Sequence, residues 1–306
     1  MSSLRLNIWL RATRAPFLTA TLIPVILGTA IAWSEISKFN LALFFLTLIG
    51  TAFLHTATNL TNDYFDHKSG NDWLNSNPTP FSGGSRVIQD KLISPASIIS
   101  FAFICFIIGS LIGLWINYQL KTNVILFLGG LGVFLGFFYT ASPLKIGYSG
   151  LGELVVALCF GPLVVLGSYY VQAKSFSWVP FFASIPIGIL VGLILYINEF
   201  PDYFADKEVS KKTLVVLLGK KGAFKLFSFL LGLVYLSIIL CVIFRIIPIF
   251  SLITLLTLPL AFKVAVLLKD NFDKIYELLP ANASTIILHS MVGSLLCAGF
   301  LLDKIF

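Results

Sequence analysis

Apolar residues recur along this chain, from one end to the other, in runs long enough to cross a bilayer, separated by short polar connections. The runs predict nine membrane-spanning helices, at roughly 16–33, 40–60, 97–117, 122–140, 151–171, 178–198, 223–244, 247–267 and 284–302. The seventh and eighth lie close together, joined around Arg245 and Pro248. The first run follows Arg11 and Arg14, but it is long and lacks a small-residue cleavage site, so it reads as a retained helix. No soluble domain can be cut from this pattern. The reading is an all-α polytopic membrane protein in which residues 1–306 form a single transmembrane domain.

Composition strengthens that reading. Of 306 residues, 58% are hydrophobic and only 11% charged, and the mean hydropathy is +0.94. A soluble globule of this size needs far more polar surface, so lipid must be the main solvent. The formal charge of +7 then becomes a signal of topology. With the N-terminus in the cytoplasm, sixteen basic residues fall inside, Arg5, Arg11, Arg14, Lys68, Arg86 and Lys145 among them. Five fall outside, Lys38, Lys121, Lys174, Arg245 and Lys304, and together these are all 21 Lys and Arg residues. That asymmetry predicts an N-in, C-out protein of the cytoplasmic membrane. The basic residues are scattered over several loops, which argues against a nucleic-acid partner. The four cysteines fall inside predicted spans without CxxC or Cys/His spacing and read as apolar packing.

Where charge is scarce, its placement is informative. Seven of the fourteen acidic residues sit in two short segments at predicted cytoplasmic helix ends. One follows span 2 and contains Asn59, Asn62, Asp63, Asp66 and Asp72; the other follows span 6 and contains Asn198, Glu199, Asp202, Asp206 and Glu208. Superposed at one offset, Asn62 meets Asn198 and Asp66 meets Asp202, while Gly70 stands opposite Asp206. Spans 2 and 6 are four crossings apart, so both clusters emerge on the same side. The chain therefore reads as two parallel four-helix repeats plus a ninth helix, around a central cavity open to the cytoplasmic side. This differs from the inverted repeats of many transporters.

Asn62 and Asp66 are four residues apart, as are Asn198, Asp202 and Asp206, which places oxygen ligands on one helical face. Pro201 removes a backbone donor and is expected to kink or end its helix. Carboxylate and amide oxygens without His or Cys nearby suit a hard cation such as Mg²⁺. The expected ligands are Asn62, Asp63, Asp66, Asp72, Asn198, Asp202 and Asp206, facing one another across a pair of ions. Basic residues follow the acidic ones: Lys68, Arg86 and Lys91 after the first cluster, Lys207, Lys211 and Lys212 after the second, and Lys145 between spans 4 and 5. Metal and cations together would bridge a diphosphate and stabilise it as a leaving group. His55 and Asn59, one and two turns before Asn62, read equally as helix-to-helix hydrogen bonding or as the lining of a substrate site. A cation or metabolite transporter is the alternative from another class; its acids are expected near the midplane in broken helices, not at helix ends beside lysines.

These segments resemble the signature of the UbiA-superfamily prenyltransferases, Asn-x-x-x-Asp after helix 2 and Asp-x-x-x-Asp after helix 6. Asn62 and Asp66 match the first, Asp202 and Asp206 the second, and the stretch from Lys211-Lys212-Thr213 to Gly219 is similar to the family's basic continuation. Gly70 stands where many members carry another Asp, and Asp72 is expected to substitute for it. Further stretches, at Trp9–Pro16, Tyr139–Lys145, Gly150–Glu153, Gly161-Pro162 and Gly167–Gln172, look like the 1,4-dihydroxy-2-naphthoate polyprenyltransferases of menaquinone synthesis.

The resemblance implies two Mg²⁺ ions, a polyprenyl diphosphate donor and an aromatic acceptor, with demethylmenaquinone as product in the naphthoate case. The alternative acceptors are 4-hydroxybenzoate, homogentisate or a glycerol-phosphate lipid. It implies catalytic roles for Asn62, Asp66, Asp202 and Asp206. Substrate contacts are expected from Lys68, Arg86, Lys145, Lys207, Lys211, Lys212, Arg14 and Asn59, with Arg14, Lys145 and Glu153 near the acceptor. The second cluster, with its heavier lysine tail, is expected to grip the diphosphate more extensively, and Asp66 to be the indispensable member of the first.

Overall fold

The structure is a computed structural model that describes residues 2–306; the side chains of residues 2–5, Arg5 among them, lie outside the description. Every regular element among the described residues is helical. A short α1 (Ser2–Ala12) and a 3₁₀ turn (Ala15–Leu18) lead into α2 (Thr19–Ile36). Then follow α3 (Leu41–Ser69), the one-turn α4 (Asn71–Leu74), α5 (Pro95–Leu120), α6 (Val124–Phe138), α7 (Gly152–Leu158) and α8 (Val164–Ala173). The chain closes with α9 (Trp178–Glu208), α10 (Leu214–Ile243), α11 (Leu258–Asn271) and α12 (Leu279–Ile305). Among the described residues eight helical stretches are long and apolar enough to cross a membrane. The predicted fourth span is the 15-residue α6, whose rise of about 22 Å is shorter than a bilayer core. The protein is an integral membrane protein, and bulky apolar side chains such as Phe127, Phe176, Phe229 and Phe262 stand exposed on the outside of the bundle, where lipid replaces water.

Local chemistry sets the helix ends. The Asn40 side chain caps α3 by accepting from the Leu43 N–H at 3.0 Å, Ser94 and Pro95 open α5, and Ser177 caps α9. Gly70 ends α3 in the left-handed conformation (φ 85°), the geometry that favours glycine at a helix C-terminus. At the far end of the bundle Asn40 and Gln172 exchange two hydrogen bonds, 2.9 and 3.1 Å, tying the start of α3 to the end of α8.

Of the spanning helices, α2 and α9 are central, each 61% buried over its apolar window, whereas α3 is 17% buried because one side borders a cavity. The main core joins α2, α8, α9, α10, α11 and α12. The two cluster-bearing helices each pack along the next spanning helix, α3 on α5 and α9 on α10.

Two features depart from the pattern of the sequence. Pro201 does not end α9, which runs on to Glu208. The missing Pro201 N–H would have bonded the Ile197 carbonyl; that carbonyl instead accepts from Asn282 Nδ2 on α12 at 3.3 Å, and the same nitrogen reaches Asn198 Oδ1 at 2.7 Å. Replacing Asn282 with Leu therefore leaves a buried carbonyl unpaired, and is expected to cost about 1–3 kcal/mol, read as a lower melting temperature in detergent. In a Pro201→Ala background, where residue 201 regains its N–H, the cost should shrink; an equal cost in both backgrounds would refute the coupling. The second feature is a π-helical turn, Cys159–Leu163, between α7 and α8, which absorbs Pro162 without breaking the span. There Gly161 meets Gly188 of α9: a Cβ on Gly161 would lie 2.7 Å from the Gly188 Cα.

Candidate active site

The C-terminal ends of α3 and α9 meet at the polar end of the bundle. Because α3 is unbroken, Asn59, Asn62 and Asp66 fall on one face, and because α9 continues through Pro201, so do Asn198, Asp202 and Asp206. A cavity of about 340 Å³ lies between them, and these six residues line it with Arg14, Asp72 and Lys211.

The two clusters are stitched together. Asp66 accepts from Tyr148 OH at 2.6 Å, from Asn62 Nδ2 at 3.0 Å and from Lys211 Nζ at 3.2 Å. Lys211 also stands 3.6 Å from Asp206 Oδ1 and over the Tyr148 ring, so one ammonium serves an acid from each helix. Asp206 further accepts from Asn71 Nδ2 at 3.0 Å. Asp202 accepts from Asn75 Nδ2 at 2.6 Å and from the Gly83 N–H at 3.1 Å. The segment 71–84 that follows α3 thus closes over the acids of α9. Gly83 and Gly84 both have positive φ there, and a Cβ on Gly84 would lie 2.7 Å from Asp72 Oδ2.

Electrostatics follow from this crowding. Burial opposes the charge on Lys211, but Asp206 and Asp66 outweigh it and hold the ammonium well above the ordinary lysine value. Burial likewise opposes Arg14, and Asp63 more than compensates. Asp72, donated to by Gln89 Nε2 at 3.0 Å, is pushed up to about 8 by burial and then by Asp66 and Asp63. Burial, with Asp66 beside it, also raises the Tyr148 phenol.

Other residues expected at the site lie elsewhere, mostly for reasons of helical geometry. Asp63 is one residue, about 100°, round α3 from Asn62; it turns from the cavity to pair with Arg14 Nη2 at 2.5 Å and accept from the Ser85 N–H at 3.3 Å. Lys68 and Lys207 are rotated off the faces of Asp66 and Asp206 and are exposed, Lys207 over the Tyr203 ring. Arg86 donates to the Asp72 carbonyl, and Lys145 lies over the Tyr148 ring. The Lys212 side chain is exposed, while its N–H donates to the Tyr148 carbonyl at 3.2 Å. Glu153, expected near the acceptor, caps α10 by accepting from the Leu214 N–H at 2.6 Å; Glu199 lines the cavity in its place. Arg14 and Asn59, by contrast, stay at the cavity, where Arg14 reaches Asn62 Oδ1 at 3.1 Å and Asn59 donates weakly to the Thr13 carbonyl at 3.4 Å.

Sequence reasoning missed Asn71, Asn75 and Tyr148. Asn71 and Asn75 repeat the four-residue spacing one position beyond Gly70, a signal the motif register concealed; Tyr148, in the connection between α6 and α7, carries none.

Among the described residues no three His, Cys, Asp or Glu side chains converge on one point. The acids that line the cavity, Asp66, Asp72, Glu199, Asp202 and Asp206, are interleaved with the amides Asn62, Asn71, Asn75 and Asn198, an oxygen donor set that fits Mg²⁺, which takes one or two carboxylates and leaves places for water and phosphate.

Residues 21–279 match the UbiA prenyltransferase family. The 1,4-dihydroxy-2-naphthoate octaprenyltransferase of Bacillus subtilis (strain 168) is 34% identical over 74% of this chain and 71% of its own length. The 2-carboxy-1,4-naphthoquinone phytyltransferase of Synechocystis sp. (strain ATCC 27184 / PCC 6803 / Kazusa) is 28% identical over 96% and 93%. Among solved structures, a UbiA homolog from Archaeoglobus fulgidus bound to DMAPP and Mg²⁺ shares the fold at a TM-score of 0.65, with 15% identity over 94% of this chain and 98% of that one. The family match over most of the chain, the relative at 34% identity and the paired motifs at the ends of α3 and α9 lead to one conclusion: the chain belongs to the UbiA prenyltransferase family.

Proposed function

We propose that this protein transfers a polyprenyl group from an allylic diphosphate to 1,4-dihydroxy-2-naphthoate, giving the quinol form of demethylmenaquinone, with the polar end of the bundle and the N-terminus on the cytoplasmic side and the C-terminus outside. The observation that carries the reading is the junction of Asp66 with Asp206 through Lys211 at the mouth of a largely apolar cavity. Relatives named for naphthoate and naphthoquinone substrates support the choice of acceptor.

On this reading Asn62, Asp66, Asp202 and Asp206, with Asn198 and Asp72, would hold two Mg²⁺ ions, which would supply Lewis-acid stabilisation of the diphosphate. Lys211 and Arg14 add fixed positive charge. The C–O bond of the donor breaks and its electron pair leaves with the diphosphate. Apolar walls keep water from the allylic carbon until the ring carbon bearing the carboxylate attacks it. The new C–C bond is followed by loss of CO₂, whose bonding pair returns to the ring. A transporter is disfavoured because α9 is continuous and its acids lie at its end, not at mid-membrane in a broken helix.

Membranes containing the protein are expected to transfer a labelled prenyl group from an allylic diphosphate to the naphthoate only when Mg²⁺ is present, with EDTA abolishing transfer. A clear preference for 4-hydroxybenzoate, homogentisate or a glycerol-phosphate lipid in the same panel would overturn the acceptor.

A further inference from the structure

Beyond the carboxylates the cavity continues toward the far end of the bundle, between α3, α5, α6 and α8, where its walls are largely apolar or glycine. Three threonines of α3 that face it, Thr47, Thr51 and Thr58, donate their hydroxyls to carbonyls four residues back and have no proton to offer a ligand. His55 differs. It lines the cavity, its ring stands edge-on to Phe160 of the π-helical turn with centroids 4.7 Å apart, and its Nδ1 lies 2.8 Å from Thr21 Oγ1 of α2.

That contact fixes the tautomer. Thr21 is fully buried, and among the described residues its hydroxyl has no other hydrogen-bond partner. A buried hydroxyl proton without an acceptor is costly, so Thr21 donates to Nδ1 and the ring carries its proton on Nε2. Nε2 makes no hydrogen bond among the described residues. It also differs from the two nitrogens of His289, which are sealed in the core without partners. The result is an N–H donor facing the cavity seven residues, about 10 Å, along α3 from Asn62. A hydrocarbon tail gives such a donor nothing to bond, so the group that fills this part of the cavity carries oxygen.

We propose that His55 Nε2–H binds a ring oxygen or the carboxylate of the aromatic acceptor. His55 thereby fixes the ring's orientation against Phe160, and Thr21 acts as the positioning residue that sets the tautomer. The proposal rests on the reading of the chain as an aromatic prenyltransferase.

The test is steady-state kinetics of the purified full-length protein with the acceptor that the wild type turns over in the panel above. His55→Phe keeps the ring shape and removes the donor. It is expected to raise the acceptor KM at least tenfold while the donor KM stays within twofold, which also reports a folded site. His55→Gln, which restores an N–H, should recover most of the loss, and Thr21→Val should raise the acceptor KM about threefold. An unchanged acceptor KM in His55→Phe, or a rise confined to the prenyl diphosphate, would overturn the proposal. Should His55→Phe fail to fold, an unchanged acceptor KM in Thr21→Val overturns it equally. A wild type that uses no aromatic acceptor sinks both readings, whereas wild-type turnover with flat His55 and Thr21 variants sinks this one alone.

Discussion

Asp66→Asn is expected to lower prenyl transfer by about 10³-fold or more, with the protein still folded. The change is nearly isosteric, so the packing of α3 survives. What disappears is the negative charge at the point where Tyr148, Asn62 and Lys211 converge. Loss of a single preorganised electrostatic partner typically costs 10²–10³ in rate, and here the same change weakens the cation site and leaves Lys211 with Asp206 alone. Asp202→Asn is expected to act similarly, since Asp202 takes its hydrogen bonds from Asn75 and Gly83. The comparison that gives the result meaning is Lys68→Ala and Lys207→Ala. Both lysines sit in the same motifs but are exposed and off the cavity, and each should leave turnover within about twofold. Undiminished transfer in both aspartate variants, measured with labelled donor and purified protein, would refute the two-cluster mechanism.

The second large effect concerns the membrane interior. At the crossing of the π-helical turn with α9, a Cβ on Gly188 would lie 2.5 Å from the Ala157 carbonyl oxygen and 3.2 Å from the Gly161 Cα. These are backbone atoms of packed helices and cannot move aside as a side-chain tip can, and close approach through small residues is how helices associate in lipid. Gly188→Leu is therefore expected to cost more than about 3 kcal/mol, beyond the usual penalty of overpacking, and to show as a large drop in melting temperature and in recovered folded protein. Gly232→Ala of α10, where a Cβ meets nothing within 4 Å, should be neutral or gain up to about 1 kcal/mol from helix propensity. Equal behaviour of the two variants in a thermal-melt assay would contradict the crossing.

Much of this was legible in the chain because lipid imposes a simple rule: apolar runs must be helices, and every acid needs a reason. The spans, the paired clusters and the shared face of Asn62 with Asp66 all follow from spacing along single helices. What escaped depends on partners far away in sequence. Pro201 looked like a terminator because the residue that relieves it, Asn282, is 81 positions later. Tyr148 touches Asp66 from a connection with no repeating pattern. Arg86, Lys145 and Lys212 were legible as nearby charge, but charge is not direction. In a helix one residue of displacement is about 100° of rotation, which is enough to send Asp63 to Arg14 and away from the cavity.

The Lys211 ammonium occupies the position between two acidic helices where positive charge is most needed. It is a resident placeholder. Without it the facing acids would push the ends of α3 and α9 apart; with it the mouth of the site stays assembled between turnovers. The same ammonium stands at the mouth of the cavity, where it would meet a diphosphate as a fixed positive charge. The two halves of the site are thus joined by a contact that belongs to the chain itself.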